Sequence, residues 1–195
     1  MTKTIPLESG KCYHIYNRGN NKEEIFKDHN DYKYFLRLLT KHVNAITDIY
    51  CYSLLSNHFH LMIKVKEIDF HFNINGKQFD VSQAFSNLFN AYAKAFNKKY
   101  NRTGKLFADR FKRKLITSDA YFSELIYYIH ANAQRHRLIK DFRDYPYSSY
   151  QEIASLQPTI LNRDEVLKWF GGKDSFEKQH AQKAHFLLDY DIFER

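Results

Sequence analysis

A chain of 195 residues, 44% of them apolar, is long enough for one domain with a real core and a smaller appendage. Thirty Lys and Arg against 22 Asp and Glu leave a net charge of +8, which points to a polyanionic partner, nucleic acid before membrane. Two cysteines, Cys12 and Cys51, with no CxxC pair exclude a disulfide framework and a zinc finger. The start Met1-Thr2-Lys3-Thr4-Ile5-Pro6 carries no apolar signal core, and no stretch is long enough to span a bilayer. The expectation is a cytoplasmic protein with no membrane partner.

In chain order, Cys12 to Asn17 reads as a first strand, ended by the turn residues Arg18-Gly19-Asn20-Asn21. Asp28 can cap a helix on which Tyr32, Phe35, Leu36, Leu39 and Val43 share a face. Ile46–Leu55 and Phe59–Val65 read as two strands, joined closely enough at Ser56-Asn57 to pair as a hairpin. Glu67 to Asp80 is polar and aromatic, with an Asn75-Gly76 turn signal, and reads as an inserted excursion. Ser82 starts a second helix with Phe85, Leu88, Phe89, Tyr92 and Phe96 on its apolar stripe. Arg113–Thr117 is a fourth strand. Ser118 or Asp119 then caps a third helix with Phe122, Leu125, Ile126, Ile129 and Ala133 facing the core. Arg163–Phe170, closed by Gly171-Gly172, and Ser175–Leu188 are further helices. The order is α+β: a ferredoxin-like βαββαβ antiparallel sheet with helices on one face, then a C-terminal helical extension. The expected division is 1–150, with an insertion at about 67–80, and 151–195.

Chemistry concentrates at His58-Phe59-His60. On a strand, alternate side chains share a face, so both imidazoles project together while Phe59 turns away. Two neutral imidazoles make half of a metal site. On the third helix, Tyr128 and Asn132 are four apart and share a face beside the core stripe. Packed near the sheet edge, that helix can bring a phenol and an amide oxygen to the histidines. His58, His60 and Asn132 could then ligate a divalent cation, Mg²⁺ or Mn²⁺, and Tyr128 could attack a phosphorus. Tyr127 is the rival nucleophile, disfavoured because Ala131, four residues on, offers no ligand. His130 faces away from the Tyr128–Asn132 side, which points to a surface or packing role. His14 and His71 lack a spacing partner and read as structural.

A second signal is Gly104 to Lys114, where cations and aromatics interleave. Lys105, Arg110, Lys112, Arg113 and Lys114 can meet phosphates, with Arg18 in a polar loop as a weaker candidate. Phe107 and Phe111 could stack bases but read better as core.

Taken together, these pieces resemble a single-tyrosine HUH transposase of the IS200/IS605 superfamily, in its IS200-like or REP-associated tyrosine transposase branch. Tyr13-His14-Ile15-Tyr16-Asn17-Arg18-Gly19 resembles the first-strand motif, and Asn57-His58-Phe59-His60-Leu61-Met62 the HUH motif. Gly104-Lys105-Leu106-Phe107-Ala108-Asp109-Arg110-Phe111, Tyr128-Ile129-His130-Ala131-Asn132 and Tyr145-Pro146-Tyr147-Ser148-Ser149-Tyr150 follow in the family's order. The resemblance implies Tyr128 as nucleophile, His58, His60 and Asn132 as metal ligands, and single-stranded DNA with a hairpin as substrate. It also allows a homodimer. The chain departs from the family pattern at Ala133-Gln134, where a Pro is usual, and in the length of the 67–80 excursion. Two other readings remain open: a non-catalytic hairpin-binding protein on the same fold, and a metal-dependent hydrolase of small phosphoesters that uses water.

Overall fold

The structure, a computed structural model, describes residues 5–67, 81–108, 110–155 and 157–183. The 68–80 excursion with its Asn75-Gly76 turn, His71, Asp109 and the end of the last expected helix lie outside the described residues. Four strands, β1 (Cys12–Arg18), β2 (Thr47–Leu55), β3 (His58–Val65) and β4 (Lys112–Ile116), form one antiparallel sheet in the order β2-β3-β1-β4. That is the ferredoxin-like order expected from βαββαβ. Two helices complete the unit, α1 (His29–His42) and α2 (Val81–Lys99), and they pack on each other. Helix α3 (Asp119–Arg135) follows β4, and α4 (Tyr150–Ala154), α5 (Arg163–Phe170) and α6 (Lys173–Lys183) close the described chain.

Local chemistry explains the boundaries. Asp28 accepts from the backbone amides of Asn30 and Asp31 while the Asp31 carboxylate accepts from the Asp28 amide, a capping box that starts α1. Ser118 accepts from the Tyr121 amide at the head of α3. Gly171 stops α5 in the left-handed conformation at φ 79°. After β1 the left-handed residues are Asn21 and Lys22, and Gly19 serves differently: a Cβ there would sit 1.9 Å from the Glu23 carbonyl oxygen.

Strand alternation divides the sheet into two faces. Phe59 of β3 packs on Phe35 of α1 and Phe89 of α2, so the helices of the βαββαβ unit share one face as expected. His58 and His60 look to the opposite face, over which α3 lies along β2 and β3. The two histidines are thereby roofed by a helix, His60 buried and His58 half-buried.

The last segment is more than an appended pair of helices. Ser149 accepts from the Tyr52 amide, and its own amide donates to the Tyr52 carbonyl. The Leu54 amide donates to Tyr147, and the Asn162 amide donates to Ile49. These bonds occupy part of the outer edge of β2, which would otherwise expose pairing groups. The short helix α4 was not foreseen, because five residues are too few to carry a helical period.

Candidate active site

The antiparallel register sets Tyr16 opposite His60 and Arg18 opposite His58, and a strand's pleat puts opposed residues on the same face. β3 thus presents His58 and His60, their rings 5.2 Å apart, and β1 presents His14 and Tyr16. From above, α3 lowers Tyr128, whose ring lies 5.5 Å from His60, and Asn132, whose Oδ1 is 3.1 Å from His58 Nε2. The four residues expected to form the site are brought together. Tyr127, the rival nucleophile, points elsewhere, with its ring against Phe142 and His180.

Hydrogen bonds restrict what each imidazole can do. The Asn57 side-chain oxygen lies 2.6 Å from His58 Nδ1 and can only accept, so the His58 proton sits on Nδ1. In the neutral ring, Nε2 then carries a lone pair, yet it faces the Asn132 oxygen, a second lone pair. Two acceptors 3.1 Å apart are stable only with a positive charge between or beside them. Adjacent ligands of an octahedral ion with bonds of ~2.1 Å are also about 3 Å apart. Turned over, the Asn132 amide would donate to His58 and offer no ligand.

His60 repeats the pattern. Its Nδ1 lies 2.9 Å from His14 Nε2, and its Nε2 is buried with no hydrogen-bond partner among the described residues. Burial, reinforced by the neighbouring His14, His58, His136 and Arg135, holds His60 well below the ordinary histidine range and keeps it neutral, the form that ligates a metal. Among the described residues, no group of three or more His, Cys, Asp or Glu side chains is gathered for a metal. A cation here would take its third protein ligand from the Asn132 amide. The donor set therefore fits a hard divalent ion with two imidazoles and one neutral oxygen.

Tyr128 is 1% exposed, edge-on to His14 and His60, with the Arg135 guanidinium 4.9 Å from its ring centroid. His14, read as structural from the sequence, is corrected to a member of the cluster. The signal missed was its alternation with Tyr16, which becomes informative only once the β1–β3 register is known. His136 was also missed, and its ring is 4.8 Å from that of His58. Its spacing of four from Asn132 on α3 was available as a clue. His130 is a packing residue: it is wholly buried, between His180 Nε2 at 3.0 Å and Ser149 Oγ at 2.9 Å.

The basic candidates divide. Arg18 ends β1 exposed on the histidine face beside His58, and Lys112 and Lys114 lie on that face through their pairing with Tyr16 and His14. Desolvation, helped by Lys112, draws Lys114 below the usual lysine range. Arg113 turns to the other face, donates to Ser82 Oγ at 2.8 Å and covers the Phe111 ring. Lys105 and Arg110 are exposed near it. Phe111 is core, as expected, and Phe107 is half-buried against Phe59 and Phe89.

No protein-family model and no curated protein matches the chain. Among solved structures, it is similar to a REP-associated tyrosine transposase bound to a REP hairpin. The TM-score is 0.60 at 16% identity, over 82% of this chain and 89% of the other. A bacterial tRNA(His) guanylyltransferase-like protein in complex with GTP aligns at a TM-score of 0.45 and 10% identity, over 69% and 67% of the two chains. The tRNA(His) guanylyltransferase of Saccharomyces cerevisiae aligns at 0.44 and 12%, over 98% and 84%. Likeness at those two scores carries no weight. The chain has the fold of the REP-associated tyrosine transposase across most of both molecules.

Proposed function

We propose that this protein is a single-tyrosine HUH transposase of the IS200/IS605 superfamily, nicking and rejoining single-stranded DNA beside hairpins. The observation that carries the reading is the meeting of Tyr128 and Asn132 from α3 with His58 and His60 from β3. The motif order and the fold shared with a hairpin-bound transposase support it.

In this reading the Tyr128 hydroxyl oxygen forms a bond to phosphorus, and the bond to the 3′ oxygen breaks. The phenol's proton leaves to the site, and the departing 3′ oxygen takes one up. The product is a 5′-phosphotyrosine ester with a free 3′ hydroxyl. Attack on that ester by another 3′ hydroxyl restores Tyr128 and rejoins the strand, so no ATP is required. His58, His60 and Asn132 would hold Mg²⁺ or Mn²⁺, which supplies charge neutralisation at the phosphate when bound. Asn57 keeps His58 in the tautomer that turns the Nε2 lone pair inward, and His14 would do the same for His60 by accepting from its Nδ1–H. Arg18, Lys112 and Lys114 line the same face and would position the strand by its phosphates.

Tyr128→Phe should abolish metal-dependent nicking and the covalent protein–DNA adduct while binding persists, whereas Tyr127→Phe should keep both. Nicking by the Tyr128 variant would end the assignment. The second reading is a hairpin-binding protein without catalysis on the same fold, favoured by the burial of Tyr128. It predicts that even the wild-type protein forms no adduct.

A further inference from the structure

The basic stretch between Gly104 and Lys114 straddles an edge of the sheet. β4 is the outermost strand, so side chains that alternate along it point to opposite sides of the molecule. Lys112 and Lys114 share the histidine face, while Arg113 joins Lys105 and Arg110 around a cavity of about 830 Å³ on the α2 side. That volume suits a nucleotide-sized ligand. No Asp or Glu among the described residues lines the cavity. Lys105 and Arg110 form no ion pair with any described carboxylate, whereas Arg113 is held in place by Ser82. The half-buried ring of Phe107 lines the same cavity, with Asn90 on the α2 wall.

Each part has a nucleotide counterpart. Cations without carboxylate partners attract phosphate, an accessible ring face or edge stacks a base, and an amide reads a base edge. We propose that this cleft binds an unpaired nucleotide of the DNA strand after the strand has rounded β4 from the histidine face. The inference rests on the reading of the histidine face as a DNA site. It adds a second contact point across the sheet from the chemistry.

The test uses the full chain and an oligothymidylate of about 12 nucleotides carrying one 2-aminopurine, followed by fluorescence anisotropy and base quenching. Ala93→Trp, which fills the cleft from α2 without changing charge, should weaken binding by about tenfold and diminish the quench. The exposed pair Lys105→Gln/Arg110→Gln should also weaken binding and make the log–log salt slope shallower by about 1.4. Lys112→Gln/Lys114→Gln reports on the histidine face. If only that pair weakens binding, the cleft is overturned and the DNA site stands. If the wild-type protein does not bind the oligonucleotide, both fall. Displacement of the oligonucleotide by polyglutamate of equal length at equal concentration would make the cleft an acidic-peptide site and would overturn the nucleotide assignment.

Discussion

His14 is the side chain whose meaning changes most between chain and fold. As a lone histidine in a strand it has no second metal-ligating side chain at a short spacing. In the folded protein it is wholly buried, stacked on His60 at 5.1 Å, with its Nε2 at 2.9 Å from His60 Nδ1. An outer partner of this kind fixes which ring nitrogen carries the proton and raises ligand basicity, and losing one typically costs 10- to 100-fold in metal affinity. His14→Phe retains an aromatic ring of similar shape but removes the nitrogen. Calorimetric titration with Mn²⁺ should show an affinity drop of about tenfold or more. Unchanged affinity would remove His14 from the site. The candidate ligands themselves were legible in the sequence because their pairings are local: two residues apart on a strand, four apart on a helix. His14 was not, because its partner is 46 residues away.

At the level of elements, α3 is held from two sides. Its inner face meets the sheet, and its other side is clasped by the C-terminal segment through a buried relay. The His180 Nδ1–H donates to the Phe176 carbonyl at 2.8 Å, which leaves Nε2 to accept from the His130 Nδ1–H, and His130 Nε2 faces Ser149 Oγ. Every ring nitrogen in the relay already has a partner with both imidazoles neutral, and an added proton would leave a charge buried away from water. Burial accordingly pushes His180 down to about 3 and His130 well below the usual histidine range. Between an ordinary 6.5 and about 3, the unfolded chain binds a proton at His180 that the folded chain refuses, so stability falls as pH falls through that window. For His180 alone the loss at pH ~5 is about 2 kcal/mol. Thermal melts from pH 7 to 4 should show it. His180→Gln, which keeps an acceptor but cannot titrate, should flatten part of the acid limb. A wild-type melting temperature that does not fall with acidification would refute the relay. Because α3 also carries Tyr128 and Asn132, the clasp bears on how that pair sits above the histidines.

Across the whole molecule, the charge of +8 is distributed over both faces and the β4 edge. If Arg18, Lys105, Arg110, Lys112 and Lys114 each meet one phosphate, the affinity for single-stranded DNA should fall with log salt at a slope of about −3.5. Anisotropy titrations across a range of KCl concentrations measure this directly, and a slope near zero would mean that the basic surface serves another purpose. The sheet makes such a path possible. Its β2 edge is partly covered by hydrogen bonds from Tyr147, Ser149 and Asn162, while β4 remains the outer strand on the other side. A strand of DNA rounding the sheet at β4 would meet the cations of that edge.

Short-range periodicity was enough to place the four strands and the longer helices in order, and to determine the faces of β3 and α3 and the four residues of the candidate site. Side-chain direction repeats every two residues on a strand and every 3.6 on a helix, so such groupings can be read without knowing the fold. Only the tertiary structure decided that α3 roofs the face opposite α1 and α2, that His14 and His136 join the cluster, and that Arg113 parts company with Lys112 and Lys114. It also decided that α6 reaches back to His130. Each of these depends on strand register or helix packing between distant residues, which is set by the competition of the whole core for burial and leaves no local periodic trace.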